Sequence, residues 1–228
     1  MEDQKFQETL RYRFNNPELL QEALRHSSFV NEQSDPDLRD NERMEFLGDA
    51  VLNLIIGHLL MQTHPEMREG DLSRVRANLV NETQLAAIAR EIDLGGNLLL
   101  GKGEIQTNGQ DKNSLLADAF EAVVAAVYLD GGFDAAAEMI HYHFNDLVQS
   151  AHSLTATQDY KSRLQEAVQS SIKEIPQYRV VEENGPDHDK TFTVAMNVGA
   201  IETQGTGKSK KAAEQDAARR GLVFIENQ

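Results

Sequence analysis

The 228-residue sequence contains no cysteine. That excludes disulfides, thiolate zinc sites and cysteine nucleophiles. Its opening residues, Met1 to Phe14, include acids and no apolar run of signal-peptide length, so no secretory leader is expected. The longest nearly apolar run, Val51 to Met61, is too short to span a bilayer and is broken by Asn53 and His58. These absences lead to the expectation of a cytoplasmic protein with no membrane partner. Positive charge is also scarce: 22 Lys and Arg stand against 37 Asp and Glu, a net charge of -15. At face value such a balance disfavours a polyanion as partner. Its distribution says otherwise. Residues 1–157 hold 12 basic and 26 acidic residues, net -14, whereas residues 158–228 hold 10 and 11. Within Thr206–Arg220 the balance turns to +3, through Lys208, Lys210, Lys211, Arg219 and Arg220 against Glu214 and Asp216.

What is present is globular: 40% hydrophobic and 26% charged residues. The periodicity predicts an all-α region over 1–150. Asn16-Pro17-Glu18 opens a helix, since proline suits a first helical turn. Val30–Asn41 reads as a loop. Glu42–Gln62 reads as a long helix, with Met44, Leu47, Val51, Leu54, Ile55 and Leu59 at helical spacing. Gly70–Ala89 is expected to be helical and the glycine-rich stretch Leu94–Gln110 to be loop. Helices are expected over Ser114–Leu129, ending at Gly131-Gly132, and over Asp134–Gln149. The small polar residues 151–158 read as a linker. The pattern then changes. A helix is predicted over Asp159–Ile172, strands over Tyr178–Glu183, Thr191–Val198 and Ile201–Thr203, a turn over Gly205–Gly207, and a helix over Ser209–Glu226. The expected architecture is therefore an all-α domain, 1–150, followed by a small α+β domain, 159–228, of order αβββα.

Two acidic groups carry the chemistry. Glu42, Glu45 and Asp49 share one helix face at spacings of three and four. Asp118 and Glu121 are the only charges between Ser114 and Leu129, again on one face. One such set alone reads best as a solvated helix face. Two sets on two apolar helices point to a shared cation site, because carboxylates among core residues are costly unless paired or metal-bound. All-oxygen ligands suit Mg²⁺, with Mn²⁺ as a substitute. A di-iron bundle fits poorly, since it wants Glu-x-x-His and Glu121 is followed by Val124. His141 and His143 would diverge on a helix and are expected at the surface. Gly207-Lys208-Ser209 ends like a phosphate-binding loop, but the full motif needs glycine at 202, where Glu202 stands, so no nucleotide cofactor is expected.

The stretch Asn41-Glu42-Arg43-Met44-Glu45-Phe46-Leu47-Gly48-Asp49-Ala50 closely resembles the signature of the ribonuclease III endonuclease domain. The resemblance continues through His26-Ser27-Ser28-Phe29, Glu69-Gly70-Asp71-Leu72-Ser73, Leu100-Gly101-Lys102-Gly103-Glu104 and Leu116–Ala122. Residues 159–228 resemble the double-stranded RNA-binding domain that follows it in bacterial members. The resemblance implies catalytic, metal-binding roles for Glu45, Asp49, Asp118 and Glu121, with Glu42 and Glu69 as accessory acids. It implies a homodimer in which Phe46 packs into the partner; the bland alternative is a core phenylalanine. It implies Mg²⁺-dependent hydrolysis of double-stranded RNA to 5′-phosphate and 3′-hydroxyl ends with short 3′ overhangs, in ribosomal RNA maturation and the processing of structured transcripts. RNA contacts are implied for Gln165 and Glu166, for Pro186 and His188, and for Lys208, Lys210 and Lys211. A duplex-binding protein whose nuclease fold is only a scaffold, and a metal-binding bundle unrelated to RNA, are the alternatives. The intact acid quartet opposes the first, and the lysine cluster with the αβββα tail opposes the second.

Overall fold

The structure is a computed structural model and describes residues 2–156, 160–171, 174–186 and 190–226. It divides into two compact units, Met1–His152 and Ser153–Gln228.

The first unit is helical. Helix α1 spans Glu2–Thr9, α2 Pro17–Ala23 and α3 Ser27–Val30. Asn16 caps α2 by accepting from the Glu18 amide, with Pro17 at the first helical position. Helix α4 spans Glu42–Thr63, 22 residues. By length and composition alone α4 could cross a bilayer. It instead buries Met44, Val51, Leu52, Ile55, Ile56 and Leu60 in the core of its own unit. Helices α5, Glu69–Leu79, and α6, Glu82–Glu91, replace the single helix expected there. Asn81 separates them: its extended backbone and side chain cap α6 by accepting from the Gln84 amide.

The stretch expected as loop, Leu94–Gln110, holds short helices α7, Leu94–Asn97, and α8, Lys102–Gln106, with a 3₁₀ turn at Gly109–Asp111. Two of its glycines serve close packing rather than looseness. At Gly95 a side chain would run into the Gln110 carbonyl, and at Gly101 into that of Ser28.

Helix α9, Asn113–Ala156, is kinked at Gly132, whose φ of 79° and ψ of -171° are non-helical. That residue lies in the Gly-Gly pair expected to stop a helix. Before the kink, Phe120 and the run Ala122–Val127 are fully buried, and the Phe120 ring lies 6.1 Å from that of Phe144. Asp130, at the kink, accepts from the Tyr12 hydroxyl and the amides of Asn15 and Asn16, tying the N-terminal segment to α9. After the kink the helix runs on past Gln149 to Ala156, into the segment expected as linker. His143, expected at the surface, is a correction: its Nε2 is buried without a hydrogen-bond partner, and burial lowers its pKa. His141 is exposed.

The second unit is an α-β-β-β-α module. Helix α10 spans Tyr160–Ser171; strands β1, Gln177–Asn184, β2, Thr191–Val198, and β3, Ile201–Gly207, form an antiparallel sheet in the order β1-β2-β3; helix α11 spans Lys210–Glu226. Leu164 and Val168 of α10 and Ala217, Ala218 and Leu222 of α11 share a core with Met196, Val198 and Ile201. The turn expected at Gly205–Gly207 is instead strand. Both glycines pack under α11: a side chain on Gly205 would strike the Ala217 amide, and one on Gly207 the Ala213 amide at 2.6 Å. Glycine here marks the close approach of another backbone.

Candidate metal centre and nucleic-acid surface

The acid-bearing helices meet at Gly48. A Cβ there would fall on the backbone carbonyl of Glu121. This contact brings Glu45, one turn earlier on α4, to the face of α9 that carries Asp118 and Glu121. Each of the three offers a carboxylate oxygen within 4.8 Å of the other two. All three are partly buried.

Like charges so close raise one another's pKa. Glu121 is pushed up to about 8, first by burial, then by Asp49, Glu45 and Asp118. Burial also raises Glu45, with Asp118, Glu42 and Asp49 adding to it. Asp118 is raised by burial and then by Glu82, while His26 acts the other way. Three hard oxygen donors that cannot comfortably all ionise alone are what a divalent cation relieves. The donor set therefore fits Mg²⁺ or Mn²⁺, and nothing in it is soft.

Other expected residues fall differently. Asp49 is exposed and stands beside the trio, its Oδ1 accepting from Asn53 at 2.7 Å. Glu42 acts on Glu45 from the first turn of α4. Glu69, at the start of α5, accepts from Ser73 at 3.0 Å and is not among the groups that raise the trio. Glu82, at the start of α6, was not expected, yet it is the carboxylate that most raises Asp118. No helical spacing connects it to Asp118; only the packing of α6 does. His26 caps α3, its Nδ1 accepting from the Ser28 amide.

Phe46 is 81% exposed, which removes the core reading within its own chain. Leu54 at 61% and Met61 at 67% are exposed further along α4, at near-heptad spacing that keeps them on the same side.

On the second unit, Gln165 and Glu166 are exposed on α10. Pro186 is exposed just beyond Gly185, whose φ is 98°. His188 lies outside the described residues. Lys208, Lys210 and Lys211 are exposed around the start of α11, where Ser209 accepts from the Ala212 amide. Their charge is partly compensated inside the protein. Lys210 pairs with Glu183 at 2.9 Å. Arg219 and Arg220 both reach Asp216, at 2.7 and 3.0 Å.

Residues 16–147 match the family model described as Ribonuclease-III-like, and residues 160–222 match the double-stranded RNA binding motif. The chain is 48% identical to a ribonuclease 3 of Myxococcus xanthus over 92% of its own length and 81% of the relative's. It is 48% identical to one of Borreliella burgdorferi over 98% and 91%. Among solved structures it is similar to the nuclease domain of ribonuclease III from Campylobacter jejuni, at 41% identity and a TM-score of 0.56, over 62% of this chain and 97% of that one.

Proposed function

Because the chain belongs to the ribonuclease III family, a nuclease domain joined to a double-stranded RNA-binding motif, we propose that it cuts RNA duplexes at the Glu45–Asp118–Glu121 centre with Mg²⁺. The observation that carries this reading is the convergence of three partly buried carboxylates, with oxygens within 4.8 Å of one another, from two helices that both pack into the core.

Mg²⁺ bound there would supply charge neutralisation for the phosphate and a water acidic enough to attack it. The protein's own residues hold it. Glu45, Asp118 and Glu121 would be the ligands, and Asp49, oriented by Asn53, would be the fourth acid of the catalytic set. Glu42 and Glu82 add negative potential around the ligands. No histidine base or covalent nucleophile is required. Hydrolysis in this scheme leaves 5′-phosphate and 3′-hydroxyl ends.

Two such centres in a homodimer would cut opposite strands at offset positions and leave short 3′ overhangs. The apolar stripe of Phe46, Leu54 and Met61 is the surface assigned to that contact. The nuclease domain of Campylobacter jejuni ribonuclease III has a region involved in dimer formation, which supports a homodimer here as well. The second unit would hold the duplex by shape, through Gln165 and Glu166 on α10, Pro186 and His188 after β1, and the lysines at the start of α11. Domain limits of 1–150 and 159–228, a cytoplasmic site of action and roles in ribosomal RNA maturation and transcript processing complete the proposal. The test is incubation with a long RNA duplex, with and without Mg²⁺. Short duplex products with 5′-phosphates, formed only with the cation, support it; an intact but bound duplex would leave a binding scaffold.

A further inference from the structure

We propose that Glu183 is a built-in competitor of RNA phosphate for Lys210, and so sets the affinity and salt sensitivity of duplex binding. This rests on the reading of the start of α11 as a phosphate contact.

The geometry is a row across the sheet. Glu183 of β1 stands directly opposite Phe192 of β2, and Phe192 opposite Gly207 of β3. Directly opposed residues present their side chains on the same face. Gly207 packs against the first turn of α11, so the row ends where Lys210 begins. The Lys210 ammonium lies 2.9 Å from a Glu183 oxygen and 5.6 Å from the centre of the Phe192 ring. The strand pair and the ring therefore hold the lysine over the sheet in the RNA-free protein.

The pair is built to exchange. Its side chains are 58% and 40% exposed, so water and ions reach it. The hydrogen bond to Lys210 holds the Glu183 pKa below the ordinary carboxylate value, and Lys190 acts the same way. A lysine is a point charge with rotatable donors and no fixed fork, so it takes carboxylate or phosphate oxygen alike. A phosphate reaching Lys210 must displace Glu183 and then lie near its charge. Asp216 differs: it accepts from the Thr206 amide as well as from two arginines, which fixes it in the fold.

The rival effect of the same pair is that Glu183 holds Lys210 in place for phosphate. The two are separated by binding of a labelled, fully paired RNA duplex to the full chain in EDTA, over a range of KCl. Wild type, Glu183→Gln, Lys210→Ala and the double variant are compared, with folding checked by melting. Competition predicts that Glu183→Gln binds about two- to fivefold more tightly at low salt, the range an exposed ion pair supports. Its salt dependence should steepen by up to roughly one unit in the log–log plot. The gain should shrink as salt rises and vanish in the Lys210→Ala background. If Lys210→Ala weakens binding but Glu183→Gln does not strengthen it, the competition is wrong and the phosphate contact stands. A gain undiminished in the double variant also overturns it, because the charge then acts without the lysine. If Lys210→Ala binds like wild type, the reading of the α11 start fails and takes the proposal with it.

Discussion

Gly48 and Glu121 are in backbone contact, with no room for a methyl group between α4 and the Glu121 carbonyl. This contact sets how close the two carboxylate-bearing helices come. Helix propensity alone favours alanine over glycine inside a helix by about 1 kcal/mol. Here the neighbour is backbone, which cannot swing aside, so crowding outweighs that gain. Gly48→Ala should lower stability by about 1–3 kcal/mol, the usual range for overpacking. It should also weaken cation binding, because Glu45 moves away from Asp118 and Glu121. Thermal melting and Mn²⁺ titration check both; a more stable variant with unchanged cation affinity would show that the helices need no such approach.

The acids also set a pH dependence. Glu121 rises from its ordinary 4.5 to about 8 on folding, and Glu45 and Asp118 rise as well. The folded state therefore binds more protons than the unfolded state between those values. Stability falls with pH where that holds. The metal-free protein should be most stable below pH 4.5 as far as Glu121 is concerned, and lose that contribution as pH rises through 8. Melting temperatures across this range, in EDTA, should fall for wild type and fall less for Glu121→Gln. Added Mg²⁺ should raise the melting temperature more at pH 8 than at pH 5. Parallel curves for both proteins would remove Glu121 from the repulsive cluster.

How far the sequence reveals this site depends on where the information lies. Glu45, Asp49, Asp118 and Glu121 stand out because their charge interrupts helical apolar patterns, a signal local to each helix. Glu82 and Gly48 carry no such local signal. Their roles exist only once α6 and α9 have packed. The same reason hid the length of β3, since Gly205 and Gly207 look like a turn until α11 lies over them. It hid α7 and α8, beside which Gly95 and Gly101 meet neighbouring backbone, and the buried Nε2 of His143. The lysine cluster was legible as charge, whereas its partner Glu183 became visible only through strand register.

Assembly gives another test. With Phe46 81% exposed, a charge there costs its own chain little but would be buried unpaired in a dimer contact. Phe46→Asp should turn a dimer into monomers by light scattering at micromolar concentration, with the monomer still folded by circular dichroism but melting lower than the dimer, which association stabilises. Wild type that is already monomeric would exclude the two-centre cutting scheme.

Binding and cutting should also separate. Replacing Lys208, Lys210 and Lys211 by alanine should weaken binding to every duplex about equally, since phosphate contacts carry no sequence information. The salt dependence should flatten by roughly one unit for each phosphate that is no longer neutralised. Cleavage at low salt should persist at a reduced rate, because the acids lie in the other unit. Unchanged binding by the triple variant at both low and moderate salt would place the phosphate contact elsewhere, with Arg74 and Arg76 of α5 the next candidates.

The most direct measurement is cleavage and binding of one long RNA duplex by Glu121→Gln over a Mg²⁺ titration. The Glu45–Asp118–Glu121 centre predicts a folded protein that binds the duplex as wild type does and leaves it uncut at ordinary Mg²⁺. Cleavage at the wild-type rate at the same Mg²⁺ concentration would contradict it.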